Sequence, residues 1–203
     1  MEKTGRALQS EQTRERIITA AMRLFVRKGF YATSIADLAE AVEMTKGALY
    51  HHFENKDAIF FAVIEAIRKT WREMVGRDVL KPRNALDRLG ALLDSHARLI
   101  EENEGFCLVL NGLITEMEGV NPAFLKKLQQ IYADLISFIE QIVGKGKEAG
   151  QLRSDLDPKL TALAIVGTLR GTGCSGPIFR RLGVDYREMM QSAKRILLKG
   201  LEP

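Results

Sequence analysis

The sequence predicts an all-α protein of about nine helices, and three observations support that prediction. Apolar residues recur every three or four positions through most of the chain, which is the periodicity of helices. The 203 residues include only five prolines and few runs of β-branched residues. Capping residues, glycines and cap–proline pairs mark where one helix ends and the next begins. With 46% hydrophobic and 28% charged residues, the composition is that of an ordinary globular protein.

The first helix is predicted from about Glu11 to Lys28. Its apolar residues share one face, while arginines occupy the other faces. The apolar face consists of Ile17, Ile18, Ala21, Leu24 and Phe25. Gly29 follows at the position where a left-handed residue commonly ends a helix, so we expect the helix to stop there.

The second helix is predicted from Ser34 to about Val42. Thr33 and Ser34 both offer N-caps, and Asp37 stands three residues after Ser34, as in a capping box. The inner face consists of Ile35, Leu38, Ala39 and Val42. Glu43–Met44 then forms the turn to the next helix.

The third predicted helix extends only from Thr45 to Phe53, roughly two turns, which is too short to be stable in water without packing. Thr45 caps it, and the inward residues are Ala48, Leu49 and Phe53. The outward residues are hydrogen-bond donors: Thr45, Lys46, Tyr50 and His51. Two helices joined by a turn of three to four residues match a helix-turn-helix, with this segment as the recognition helix.

Helical patterns fill the rest of the chain. Asn55 caps a fourth helix, with Asp57 in its first turn, and Pro122 and Pro158 each follow a capping residue. The predicted helices after the third cover 55–77, 83–103, 106–118, 122 to about 144–150, 159–171 and 185–200. We expect the part that reads DNA to end within the fourth helix, near residues 55–61.

The donors around the third helix are the candidate DNA contacts. Hydroxyl groups and backbone N–H groups at helix starts suit phosphates, and lysine can neutralise a phosphate or reach a base. A glycine allows close approach of the sugar-phosphate backbone, while tyrosine and histidine can donate to phosphate or touch a thymine methyl group. The candidates are Thr33, Ser34, Thr45, Lys46, Gly47, Tyr50, His51 and Lys56. The alternative is that these residues only solvate a surface.

Charge by itself does not argue for nucleic acid. The net charge is +4, and residues 1–56 carry nine Lys or Arg against seven Asp or Glu. If DNA is the partner, a few well-placed donors and helix N-termini must therefore make the phosphate contacts.

An ordered set of residues over about 13–60 resembles the TetR family of bacterial transcriptional regulators. The set comprises Ile17, Ala20-Ala21, Leu24-Phe25, Gly29-Phe30, Thr33-Ser34-Ile35, Asp37-Leu38-Ala39, Thr45-Lys46-Gly47, Leu49-Tyr50, His52-Phe53 and Lys56. Gly150-Gln151-Leu152, followed by Asp155-Leu156-Asp157-Pro158, resembles the entry to that family's penultimate, dimer-forming helix. The resemblance implies a homodimer that binds a palindromic operator and holds a ligand in its C-terminal domain. Ligand binding would change the spacing between the two recognition helices.

On this basis we expect a helix-turn-helix DNA-binding domain in residues 1–56 and a larger helical ligand-binding and dimerisation domain in 57–203. The expected function is that of a ligand-responsive repressor, released from DNA by a small apolar or amphipathic effector. The alternative from another class is a helical small-molecule binding or carrier protein that does not read DNA specifically.

One turn departs from the family pattern. The family usually carries Ala-Gly-Val before the Thr or Ser, where this chain has Val42-Glu43-Met44. Without glycine, a left-handed backbone is harder to reach. The turn is therefore expected either to be distorted or to tolerate Glu43, and this departure is the best support for the carrier-protein alternative.

Two C-terminal segments are the expected dimer interface. Residues 159–171 are apolar on most sides, which predicts contact with a partner as well as with the core. Gly167 and Gly171, four residues apart, would let another backbone approach closely. The last predicted helix, 185–200, supplies the second segment.

Polar or aromatic residues within apolar helical runs are the candidate effector contacts. They are Trp71, His96, Asn111, Thr115, Tyr132 and Arg170. For Trp71 and Tyr132 a core position is the alternative, and for His96 a satisfied or exposed histidine. A buried Asn111 would need hydrogen-bond partners, from the protein or from a ligand. Arg170 could instead pair with an acid across the dimer.

We expect no catalysis, no metal and no cofactor. His51 and His52 are adjacent, so on a helix they point in directions about 100° apart and suit no shared metal ion. Cys107 and Cys174 have apolar or small neighbours, which predicts reduced thiols in the cytoplasm. The polar N-terminus lacks a signal-peptide core, and no run of about 18 apolar residues predicts a membrane span.

Overall fold

The computed structural model describes residues 5–102, 106–118 and 120–203. Every regular element in these ranges is a helix. Within that part of the chain there are nine α-helices and one π-helical segment, and no strand, which confirms the all-α prediction. The elements are α1 (Gly5–Lys28), α2 (Ile35–Ala41), α3 (Lys46–His52), α4 (Lys56–Met74), the π-helical segment (Val75–Val79), α5 (Ala85–Glu102), α6 (Phe106–Met117), α7 (Pro122–Glu148), α8 (Pro158–Arg181) and α9 (Tyr186–Leu201). Residues 1–4, part of the polar N-terminus, and the side chain of Cys107 lie outside the described residues.

Local capping signals place the first three helices. Gly29 ends α1 with a φ of 82°, and its N–H donates to the Phe25 carbonyl at 3.0 Å. Ser34 caps α2 and forms the complete capping box with Asp37. Thr45 caps α3, where its hydroxyl oxygen accepts from the Ala48 N–H at 3.1 Å.

The chain forms two compact units. Unit 1 comprises the chain up to Lys69 together with Leu108–Leu128, and unit 2 comprises Thr70–Cys107 and Gln129–Pro203. Unit 1 thus includes most of α6 and the first residues of α7 in addition to the helix-turn-helix. The division of function at residue 56 stays a prediction.

The core of unit 1 is formed by the inner faces of its helices and a cluster of aromatic rings. The buried residues include Ile17, Ala21, Phe25, Leu38, Leu49, Phe53, Ile59 and Val63. Phe30 packs edge-on against Phe25, Phe60 and Phe124, and Phe60 stacks on Phe124 with ring centroids 4.3 Å apart. The aromatic cluster ties the segment after α1 to α4 and α7.

The core of unit 2 is formed by residues of α5, α7, α8 and α9, with the π-helical segment against α5. Its largest buried residues include Leu89, Leu92, Leu93, Ile139, Ile165, Leu169 and Met190. None of the helices in the described ranges is both long enough and apolar enough to cross a membrane.

Helix α8 is longer than the predicted segment 159–171 and is buried on only one face. It runs on to Arg181 through several glycines, and a Cβ added at Gly176 would lie 3.5 Å from the Tyr186 ring. That distance is an ordinary van der Waals contact, so α9 begins beside this part of α8, and the glycines do not end the helix. Cys174 lies half-buried on this helix.

Candidate nucleic-acid interface

The short helix α3 separates its residues into a buried face and an exposed face. Leu49 is fully buried and Phe53, which ends the helix, is 3% exposed. The outward residues Thr45, Lys46, Gly47, Tyr50 and His51 are all exposed to solvent. Packing through Leu49 and Phe53 explains how a helix of seven residues persists, since such a length is unstable by itself.

Several features of the exposed face suit DNA. The Thr45 hydroxyl accepts from Ala48 N–H in the cap and keeps its own proton to donate. Tyr50 is 50% exposed. Among the described residues, only the Thr45 hydroxyl comes as close as 4.0 Å to a Cβ built at Gly47, so this position leaves room for another molecule.

The turn before α3 retains the left-handed conformation without a glycine. Glu43 has a φ of 56°. The Glu43 N–H donates to the Glu40 carbonyl at 3.0 Å, and the Met44 N–H donates to the Ala39 carbonyl at 2.8 Å. These two bonds are those of a Schellman motif, with Glu43 in the place that glycine usually takes. Of the two outcomes left open by the sequence, the turn therefore tolerates Glu43.

Two arginines of α1 hold the turn and α3 in position. Arg16 donates to the Val42 carbonyl at 3.2 Å, at the start of the turn. Arg14 donates to the His52 carbonyl at 2.7 Å, and its guanidinium lies 4.1 Å from the centre of the Phe53 ring. Sequence reasoning placed both arginines on the outer faces of α1 and missed these contacts, because no local spacing reports a partner 26 or 38 residues away.

Thr33 and Lys56, two of the candidate DNA contacts, use their polar atoms inside the protein. Thr33 is fully buried and its hydroxyl donates to the Gly29 carbonyl at 2.6 Å. The Lys56 ammonium donates to the carbonyls of Phe30, Tyr31 and Thr33 at 2.9, 3.2 and 3.0 Å. A lysine has three N–H donors, and these three carbonyls can use all of them.

Ser34 is exposed, but its hydroxyl is also engaged. It accepts from the Asp37 N–H at 3.1 Å and donates to the Asp37 carboxylate at 2.8 Å. Lys28 donates to the same carboxylate at 2.6 Å, and this bond is the main reason why the pKa of Asp37 lies well below its usual range. The Ser34 backbone N–H also donates to the Asp37 carboxylate, at 2.8 Å, so both donors of Ser34 are used within the capping box.

The two adjacent histidines at the end of α3 have different surroundings. His51 is exposed, whereas His52 is partly buried. Burial, with smaller contributions from the charges of His51 and Arg14, lowers the pKa of His52 below its ordinary value. In the ranges that the structure describes, no group of three or more His, Cys, Asp or Glu side chains is arranged to hold a metal ion.

The six candidate effector contacts fall into both compact units. Asn111 and Thr115 lie on α6 in unit 1, where the Thr115 hydroxyl donates to the Asn111 carbonyl at 3.1 Å. In unit 2, the Arg170 guanidinium lies 5.5 Å from the centre of the Tyr132 ring. His96, on α5, has a pKa lowered to about 4 by burial.

Trp71 combines an apolar contact with an unsatisfied donor. Its ring packs edge-on against Phe138 with centroids 5.5 Å apart. Its indole N–H is buried, and within the described residues it has no hydrogen-bond partner. A buried donor of this kind needs an explanation, and a bound ligand is one.

The face of α8 opposite the core is apolar and exposed. Leu160 and Leu163 are 66% and 44% exposed, and Ile178 is 61% exposed. A Cβ added at Gly167 or Gly171 would meet no other described atom within 4 Å. These residues are spaced by three, four, four and seven positions, so they form one stripe along the helix.

Comparison with known proteins gives matches over both parts of the chain. Residues 17–63 match the family of bacterial regulatory proteins called the tetR family, and residues 85–181 match the tetracyclin repressor-like C-terminal domain. The fatty acid metabolism regulator protein of Bacillus subtilis is 21% identical over 91% of this chain and 93% of its own length. The transcriptional repressor DhaR of a Mycobacterium species is 21% identical, over 94% of this chain and 92% of its own.

A solved structure of similar fold is that of the regulator FadR from Bacillus subtilis in complex with stearoyl-CoA. It has a TM-score of 0.76 at 20% sequence identity, and the match covers 92% of this chain and 98% of that one.

Proposed function

Because this chain belongs to the TetR family of bacterial regulatory proteins, we propose that it is a ligand-responsive transcriptional repressor that binds a palindromic operator as a homodimer. The observation that carries the proposal is the donor-rich, exposed face of α3, held by a buried inner face and by a complete turn. One such helix makes too few base contacts for useful specificity, and a second copy one helical turn along the DNA doubles them.

We assign direct DNA contact to Thr45, Lys46, Gly47, Tyr50 and His51. Ser34 stays a proposed contact because it is exposed at the start of α2, but its N–H and hydroxyl donors would have to leave the Asp37 carboxylate to reach a phosphate. Thr33 and Lys56 support DNA binding indirectly, because their polar atoms bond the backbone of the segment between α1 and α2.

The homodimer forms through the exposed stripe of α8 together with α9. An exposed apolar stripe on a helix that already packs its other face into the core is typical of a protein interface. The outward residues Leu160, Leu163, Ile178, Leu182 and Ile196 would lose their contact with water in the dimer. Gly167 and Gly171 would let the two copies of α8 approach closely.

The effector is a small apolar or amphipathic molecule, and an acyl thioester or fatty acid is the first class to test. Two similar proteins support that choice, namely a fatty acid metabolism regulator and a regulator solved in complex with stearoyl-CoA. In this chain, the buried Trp71 N–H could donate to an acyl carbonyl, and the Trp71–Phe138 pair offers an apolar wall. His96, Asn111, Thr115, Tyr132 and Arg170 remain the other proposed contacts. The protein acts in the cytoplasm, where its operator lies.

The operator proposal is tested by gel shift with the DNA upstream of the protein's own gene, against a scrambled duplex. We expect selective retention that weakens steeply as salt increases, because each phosphate contact releases counterions. Lys46→Ala should weaken retention and leave the melting temperature unchanged, since Lys46 is exposed. A folded dimer that retains both duplexes equally would contradict the proposal and favour the carrier-protein alternative.

The effector proposal has an internal reporter, because Trp71 is the only tryptophan of the chain. Titration with fatty acids and acyl-CoA of increasing length should change the tryptophan emission and release the operator at the same concentrations. A ligand that releases the operator without changing that emission would remove Trp71 from the site.

A further inference from the structure

The segment between α1 and α2, residues 29–33, is hydrogen-bonded to a side chain from a helix that is distant in sequence. The Glu116 carboxylate on α6 accepts from the Phe30 N–H and from the Tyr31 N–H, each at 2.6 Å. Glu116 is 86 residues away from Phe30 in sequence and belongs to the same compact unit. We call residues 29–33 the 29–33 loop.

The backbone of the loop is shaped for this carboxylate. Gly29 has a φ of 82°, and a Cβ added there would come within 3.0 Å of both Glu116 carboxylate oxygens. The glycine therefore serves two needs, since it adopts the left-handed conformation and leaves space for the carboxylate. Bonds from backbone N–H groups to an ionised carboxylate are about twice as strong as neutral ones.

The opposite charge holds the other side of the same loop. Lys56 donates to the carbonyls of Phe30, Tyr31 and Thr33, and its ammonium lies 4.5 Å from the centre of the Phe30 ring. The N–H groups of the loop thus face an anion and its carbonyl groups face a cation. With both sides bound, the loop has one preferred position relative to α4 and α6.

The loop leads directly into the helix-turn-helix. Thr33 precedes the Ser34 cap of α2, and its hydroxyl closes back on the Gly29 carbonyl. Helix α2 in turn packs against α3. A change in the loop therefore changes where α2 begins, and with it the direction of the exposed face of α3.

We propose that Glu116 is a positioning residue for DNA reading, acting through the 29–33 loop without touching DNA. The inference rests on the proposed function, because it assigns Glu116 a role in the same DNA-reading site. If the recognition helix α3 is slightly misoriented, it keeps its non-specific phosphate contacts but loses contacts with base edges, because those need accurate geometry. The quantity that Glu116 controls is thus the ratio of operator affinity to non-specific affinity.

The test compares Glu116→Gln with Glu118→Gln in the full-length protein. The glutamine has the same shape but only one acceptor oxygen, so one loop N–H loses its partner. Glu118 is exposed just after α6, so its substitution makes the same charge change away from the loop. Glu116→Asp, one methylene shorter, is the second variant, used if the glutamine variant does not fold.

The readouts are the affinities for the selected operator and for a scrambled duplex, the salt dependence of both, and the melting temperature. For Glu116→Gln we expect operator affinity to fall about tenfold, the scrambled affinity and the salt slope to stay unchanged, and Glu118→Gln to match the wild type. A purely structural role would lower the melting temperature and leave the affinity ratio within about twofold, which would overturn the proposal.

Amide hydrogen exchange separates this inference from the proposed function. Loss of Glu116 should speed exchange at the Phe30 and Tyr31 amides, whether or not DNA is present. If the wild type selects no operator, the proposed function fails; unchanged exchange at these two amides would separately overturn the role of Glu116.

Discussion

Glu43 occupies a backbone conformation that residues with a Cβ rarely adopt. Its φ of 56° lies in the left-handed region, which costs a non-glycine residue on the order of 1 kcal/mol. The surrounding bonds to Glu40 and Ala39 and the Arg16 contact with the Val42 carbonyl hold the turn in spite of this cost. The departure from the family pattern thus lies in side-chain identity, and the backbone is kept.

Replacement of Glu43 by glycine should raise the free energy of unfolding by about 0.5–1 kcal/mol, since glycine relieves the left-handed strain. Glu43→Ala is the matched control, because it removes the carboxylate and keeps the Cβ. Chemical denaturation measures both variants. An equal gain in both would show that the charge of Glu43, and not its backbone, is unfavourable.

His96 makes stability depend on pH. Burial lowers its folded pKa to about 4 from an ordinary value of 6.5, so in this interval the unfolded chain binds a proton that the folded chain does not. The contribution of His96 to stability is therefore greatest above pH 6.5 and falls as pH decreases toward 4, by a few kcal/mol at most.

Replacing His96 with Leu should flatten the stability profile between pH 6.5 and 4 relative to the wild type. Urea denaturation at several pH values provides the measurement. An identical slope in the wild type and His96→Leu would assign the pH dependence to other groups.

At the scale of elements, the helices differ in how far their sequence specifies them. The cap of α2 and its capping box involve residues three positions apart, so the sequence predicts them well. Helix α1 begins at Gly5, earlier than the predicted Glu11, because its first turns are exposed and carry no apolar periodicity. Helix α8 extends past residue 171 to Arg181, although its second half contains several glycines.

The contact between α7 and α5 depends on one glycine. A Cβ added at Gly146 would clash with the Cβ of Ala85 and would lie 2.9 Å from Leu152 Cδ1. Gly146→Ala should lower the free energy of unfolding by about 1–2 kcal/mol, because the overpacking exceeds the gain in helix propensity. Thermal or urea denaturation measures the change.

Two further variants test whether the loss of stability comes from the close approach of residues 146 and 85. Ala85→Gly added to Gly146→Ala should recover part of the loss, because it removes the other member of the clash. Gly144→Ala, on the same helix and with no described atom within 4 Å of the added Cβ, should stabilise slightly. A loss of stability in Gly144→Ala would indicate that glycine is needed in this stretch for another reason.

For the whole molecule, the main consequence of the fold is that the two faces of α8 have different surroundings. Ala162, Ile165, Val166 and Leu169 are buried in unit 2, whereas the stripe from Leu160 to Ile178 is exposed. The sequence predicted that this apolar helix contacts a partner as well as the core, and within one chain only one side of it is buried. The exposed side is explained if a second copy covers it.

Gly167→Leu should shift the dimer toward monomer, because the larger side chain holds the two copies of α8 apart. The variant should fold normally, since the added Cβ meets no described atom of its own chain within 4 Å. Light scattering gives the molar mass, and Gly112→Leu, at an exposed glycine of α6, is the control. A dimer that persists in Gly167→Leu at low concentration would place the interface elsewhere.

The sequence by itself determined the helical class, the order of the helices, their caps and the exposed face of α3, because these features depend on residues within one or two turns of each other. Only the tertiary structure decided what Lys56, Arg14 and Glu116 do. Each of these charged side chains satisfies backbone groups 23 to 86 residues away, which no local pattern encodes. In the sequence, a charged residue on a helix surface gives the same pattern whether it faces DNA, solvent or a backbone carbonyl. Only the tertiary structure shows which of these partners it has.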